Sequence, residues 1–147
     1  MSTPRVDYKV HAAEAFKGLI KLSMTLQHGS LDHQLFELVK HRASQINGCA
    51  FCLDMHGVDL RKSGIDPRKL DTLPAWEESP FYDARERAAL GWAEALTNVS
   101  QTRAPDAAYE ALLPHFNEQQ IAELTMGIAV INAWNRLGVG LRSPLPA

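Results

Sequence analysis

The sequence predicts an all-α domain, and three observations carry the prediction. Sustained apolar–polar alternation, the mark of a half-buried strand, is missing along the chain. No proline stands between Pro4 and Pro67, which leaves room for three consecutive helices. Apolar residues recur at intervals of three and four, the spacing that gathers them on one face of a helix.

Each element follows from its own residues. The first helix is expected from about Val6 to Gln27. Ala12, Ala15, Phe16, Leu19, Leu22 (or Ser23) and Leu26 form its stripe, and Gly29 suits a C-terminal cap. The second starts near Asp32 and stops at Asn47-Gly48. Leu35, Leu38, Val39, the stem of Arg42, Ala43 and Ile46 face inward. The third carries both cysteines and ends near Gly64. Pro67 sits in the first turn of a short helix, where its missing N–H costs nothing. "PAWEESP", Pro74 to Pro80, reads as a long loop. A helix follows from about Asp83 to Val99, and Pro105 opens a short one through Leu113. Asn117 caps the last. Ile121, Leu124, Ile128 and Ile131 make its main stripe, and Met126, Ala129, Val130 and Trp134 widen it. A helix apolar nearly all round is buried in a core or a subunit interface.

The 147 residues suit one domain, 1–147, with 46% hydrophobic and 22% charged residues. The net charge is −2, with Lys and Arg scattered, so a nucleic-acid partner is not expected. The N-terminus lacks an apolar core of signal-peptide length, and no run suits a membrane span. The expected compartment is the cytoplasm, where a cysteine pair is more often catalytic or metal-binding than structural.

Residues 47–56, "NGCAFCLDMH", hold both cysteines of the chain. On a helix with Cys49 at 0°, Cys52 lies at roughly −60° and His56 at roughly −20°, so all three share a face. Cysteines one turn apart can form a disulfide with little backbone motion. Cys49 follows Asn-Gly and sits at a helix start, where unpaired N–H groups and the helix dipole favour a thiolate. A hydroperoxide would convert one thiolate to a sulfenic acid, which the second cysteine would condense to a disulfide. A tight hairpin through Asn47-Gly48 would fold Glu37 back beside the thiols, where a carboxylate could relay protons. A zinc site on Cys49, Cys52 and His56 stays open on spacing alone, as do two inert buried thiols. His41, one turn after Glu37, reads as part of a surface ion pair. His11, His28, His33 and His115 read as surface residues, and Trp134, Asn135 and Arg136 as packing residues.

The stretch "ELVKHRASQINGCAFCLDMHGVDLRKSG", Glu37 to Gly64, resembles the core of the AhpD-like alkylhydroperoxidases of the carboxymuconolactone decarboxylase-like superfamily. The match is Glu, eleven residues, Cys-X-X-Cys, three residues, His. "INAWNRLGV", Ile131 to Val139, is also similar to that family. The resemblance implies an all-α fold and a homo-oligomer, often a trimer or hexamer. It implies a thiol-dependent peroxidase for organic hydroperoxides or hydrogen peroxide, with a redox-active disulfide and no other cofactor. Carried onto this chain, Cys52 is the peroxidatic cysteine, Cys49 the resolving one, and His56 and Glu37 the proton relay. An external dithiol, a lipoylated protein in the best-known members, would be the reductant. Those members carry a histidine where this chain has Phe51. The helix-start argument favours Cys49 as the more acidic thiol, whereas the resemblance favours Cys52. Two other readings go with it: decarboxylation of a muconolactone-like acid, which needs no dithiol, and a redox-sensing oligomer without turnover.

Overall fold

The computed structural model describes residues 3–146, and every element among them is helical. The helices are α1 (Tyr8–His11), α2 (Ala13–Gln27), α3 (His33–Asn47), α4 (Ala50–Lys62) and α5 (Pro67–Thr72), followed by a 3-10 turn at Leu73–Ala75. Then come α6 (Ala84–Thr97), α7 (Val99–Thr102), α8 (Asp106–Glu110) and α9 (Glu118–Leu141). Several starts follow local sequence chemistry. Asp32, Asp66, Asp83 and Asn117 each accept a backbone N–H of the first turn. Asp83–Glu86 and Asn117–Gln120 form reciprocal capping boxes.

Helix α3 is the hub, packed against α4, α6 and α9. One core gathers Leu35, Phe36 and Val39 of α3, Ala89, Trp92 and Ala93 of α6, and Leu124 and Ile128 of α9. A second joins Leu38 to Leu60, Ile65, Leu73, Trp76, Tyr82 and Leu90. Burying a large aliphatic side chain contributes about 1.5–3 kcal/mol, so these layers fix how α3 is seated.

Three expectations change. The first helix breaks at Ala12, whose φ of −132° and ψ of 46° are not helical. In a straight helix Tyr8 and Phe16 would lie about 12 Å apart along the axis. The break brings their ring centroids to 5.9 Å, and Phe16 packs in turn edge-to-face against Trp134 at 5.9 Å. The stripe shifts accordingly: Ala12 and Ala15 face solvent, while Phe16, Leu19 and Leu22 are half-buried and Leu26 buried. Second, the expected Pro74 to Pro80 loop is entered through the 3-10 turn at Leu73–Ala75 and is anchored along its length. Trp76 is buried and donates to Glu94 Oε1 at 2.8 Å. The Arg87 guanidinium donates to the carbonyls of Glu77, Ser79 and Tyr82. Third, the widened face of α9 divides. Ile121, Leu124, Ile128 and Ile131 are buried, Val130 and Trp134 half-buried, and Met126 is 48% exposed. Among the described residues, no helix is long and apolar enough to cross a membrane.

Candidate functional site

The site grows out of the α3–α4 hairpin. Gly48 ends α3 at φ 65°, a left-handed value that suits glycine. The chain reverses there, and the Cys49 N–H donates back to the Ser44 carbonyl at 3.1 Å. Cys49 becomes the N-cap of α4, and its Sγ accepts the Cys52 N–H at 3.3 Å. Cys49 and Cys52 are joined in a disulfide, their Cα atoms 5.3 Å apart. Both are buried.

Across the hairpin, Glu37 is only 3% exposed. Its Oε2 lies 2.6 Å from His56 Nδ1, and its Oε1 accepts from Lys40 Nζ at 2.5 Å. Burial pushes this carboxyl up, but the hydrogen bond from His56 and the charge of Lys40 outweigh burial and hold it at about 2. Glu37 is therefore ionised near neutral pH. An ionised carboxylate only accepts, so Nδ1 carries the proton in the His56–Glu37 bond. That leaves Nε2 of a neutral His56 as the free basic nitrogen. Among the described residues, His56 Nε2 and His41 Nδ1 are the buried side-chain polar atoms without a hydrogen-bond partner.

Glu37, Cys52 and His56 line one cleft of about 310 Å³. Phe51, Met55 and Asp59 of α4 share it with Phe16 and Ile20 of α2 and with Ile131, Trp134 and Gly138 of α9. The α1–α2 break adds Tyr8 to the rim. Cys52 is on the cleft wall, whereas Cys49 is tucked behind it at the helix start. The walls are mostly apolar; α3 and α4 contribute Glu37, Lys40, His56 and Asp59, and α1 contributes Lys9 with Tyr8.

A polar clamp holds this wall to α9. Asn47 Nδ2 donates to Asn132 Oδ1 and Asn135 Oδ1, both at 2.9 Å. Asn135 Nδ2 donates to Ser44 Oγ at 3.0 Å, and Ser44 Oγ donates to the Lys40 carbonyl at 2.8 Å. Asn135 and Ser44 are fully buried, so the packing role expected for Asn135 takes this form. Gly127 faces the Phe36 ring with no room for a Cβ.

All four candidate residues thus meet in one hairpin: Glu37 against His56, Cys49 bonded to Cys52. His41 departs from expectation. It forms no surface ion pair; its Nδ1 is buried, and burial, reinforced by the nearby His56 and Arg61, pulls its pKa down to about 4. Lys40 went unrecognised, although its place one turn after Glu37 was a usable signal. Gly138 lies within the Ile131–Val139 stretch noted above, but its approach to the sulfurs has no local signal, because its partners lie on a different helix. The zinc alternative is not favoured in this state, since disulfide sulfurs are not thiolate ligands. The acidic and imidazole groups that gather within 4.8 Å of one another are Glu37, His56 and Asp59, and Glu37 is already paired with Lys40.

The sequence model of the carboxymuconolactone decarboxylase family matches residues 11–95. The uncharacterized protein YdfG of Bacillus subtilis is 38% identical over 93% of this chain and 93% of its own. A crystal structure of a protein of unknown function from Agrobacterium tumefaciens, suggested to be the antioxidant defence protein AhpD, is 43% identical. It covers 99% of both chains with a TM-score of 0.95. An uncharacterized peroxidase-related protein from Silicibacter is 26% identical, with a TM-score of 0.81 over 92% of this chain and 72% of its own.

Proposed function

Because the chain belongs to the carboxymuconolactone decarboxylase family, we propose that it is an AhpD-like thiol peroxidase reducing organic hydroperoxides or hydrogen peroxide. One observation carries the reading: a Cys-X-X-Cys disulfide opens onto a cleft through Cys52, beside a buried Glu37–His56 pair.

In the reduced enzyme, His56 Nε2 takes the proton of the Cys52 thiol. Glu37 orients the imidazole through Nδ1 and stabilises the imidazolium that forms. The Cys52 thiolate attacks one peroxide oxygen and the O–O bond breaks. The leaving alkoxide, or hydroxide, takes the proton from His56 and departs as alcohol or water. Cys52 is left as a sulfenic acid. The Cys49 thiolate then attacks the Cys52 sulfur, the S–O bond breaks, and hydroxide leaves to be protonated to water. Two electrons have passed from the dithiol to the peroxide. An external dithiol reverses the disulfide by exchange, ending as a disulfide itself.

Phe51 lines the cleft in place of a second imidazole, so proton traffic rests on His56 alone. The same reading includes a reducing compartment such as the cytoplasm and assembly into a homo-oligomer. Ile20 and Met24, 39% and 55% exposed along α2, give that assembly an apolar face.

The test is peroxide consumption by C52S with a small dithiol as donor. The expected result is loss of at least about 100-fold in turnover, because no sulfenic acid can form. Unchanged consumption overturns the reading. So does a carboxymuconolactone decarboxylase activity that survives in C49S/C52S.

A further inference from the structure

Helix α9 carries two glycines near its end with opposite surroundings. A Cβ at Gly138 would lie 2.8 Å from Cys49 Sγ and 3.8 Å from Cys52 Sγ. A Cβ at Gly140 would meet nothing within 4 Å. Ordinary carbon contacts begin near about 3.5 Å, so the first distance is a collision. The positive-φ glycines among the described residues are Gly48 and Gly64, so backbone conformation does not require glycine at 138. Glycine inside a helix costs about 1 kcal/mol relative to alanine. What glycine supplies at 138 is space, and the atoms that use the space are the two sulfurs.

We infer that Gly138 is a positioning residue that holds open the volume in which the Cys49–Cys52 disulfide closes. The inference rests on the redox reading above. The two oxidation states differ in how they tolerate a lost volume. A free Cys49 thiol can turn about its Cα–Cβ bond to another rotamer. A disulfide sulfur is bonded to Cys52 and cannot turn away without moving the start of α4, where Cys49 Sγ also accepts the Cys52 N–H. A methyl at 138 therefore disfavours the disulfide more than the dithiol. It also slows the step in which the Cys49 thiolate displaces hydroxide from the Cys52 sulfenic acid. Gly138 shares the cleft wall with Cys52, so the space is continuous with the place where a peroxide would enter.

The experiment is a redox titration of wild type, G138A and G140A, which needs no peroxide. Protein disulfide exchanges with reduced dithiothreitol to give protein dithiol and cyclic oxidised dithiothreitol, and free thiols are counted at each ratio. G138A is expected to shift this equilibrium toward the dithiol at least tenfold, about 30 mV in potential for a two-electron couple. G140A is expected to stay within twofold of wild type. A G138A curve overlying wild type overturns the inference, as does an equal shift in G140A. If wild type itself fails to titrate at any ratio, the redox reading falls; if wild type titrates and G138A matches it, only the role of Gly138 falls. Should G138A not fold, C49A/G138A decides, because it lacks the sulfur nearest the new methyl. Its folding supports the sulfur collision, and its failure to fold overturns it.

Discussion

Replacing Glu37 by glutamine should change how the protein responds to acid, by an amount set by the carboxylate's surroundings. The carboxyl falls from an ordinary 4.5 to about 2 in the folded chain, despite burial that opposes the fall. Each tenfold change in proton affinity is worth about 1.4 kcal/mol, so the full difference approaches about 3 kcal/mol. The folded state holds this proton less tightly than the unfolded chain, so acid favours unfolding. The contribution is complete above pH 4.5 and is lost as pH falls towards 2. Glutamine has the shape of the protonated acid and cannot ionise. Wild type should therefore exceed E37Q in stability by about 3 kcal/mol at pH 6 and by only about 1 kcal/mol at pH 3. Urea unfolding at the two pH values measures both gaps. Asp66 and Glu123 also have lowered pKa values, but they are present in both proteins and cancel in the difference. A gap that is small at pH 6, or that does not change between pH 6 and pH 3, would refute the claim that Glu37 is held ionised by His56 and Lys40.

Two more outcomes follow from buried polar groups. His41 is kept neutral, with a pKa lowered from 6.5 to about 4, so the unfolded chain takes up its proton first as pH falls. Wild type should lose stability between pH 6.5 and pH 4 on this account, and H41Q should flatten that part of the unfolding curve. N135A removes one acceptor of Asn47 and the donor to Ser44, all within a buried clamp. It should cost about 2–3 kcal/mol in urea unfolding, with the Cys49–Cys52 disulfide still able to form.

The helix starts and stops were legible because they depend on near neighbours. Asp32, Asp83, Asn117 and Gly48 act within three or four residues of their own positions. The meeting of Glu37 with His56 was legible for the same reason: one hairpin sets both residues, and helical phase puts Cys49, Cys52 and His56 on a single face. What escaped depends on distant partners. The break at Ala12 answers to Trp134, against which Phe16 packs edge-to-face. The order of Pro74 to Pro80 comes from Trp76 and Arg87, whose partners include Glu94 of α6. Gly138 has meaning only when α9 lies across the sulfurs. His41 was misplaced because its burial comes from α4, which carries Arg61 and His56 past it.

Chain entropy ranks the two halves of the site by the sequence distance each must span. The Glu37–His56 bond closes across 19 residues, and the Asn47–Asn135 bond that seats α9 closes across 88. For a flexible chain the closure cost grows as (3/2)RT ln n, so the longer closure costs about 1.4 kcal/mol more. A folding chain therefore favours completing the hairpin first, with carboxylate, imidazole and thiols in register, while α9 is still loose. The glycine wall is laid over a pair already aligned. Until it arrives, Cys49 lacks the backbone of Gly138 that lies against its sulfur in the folded chain.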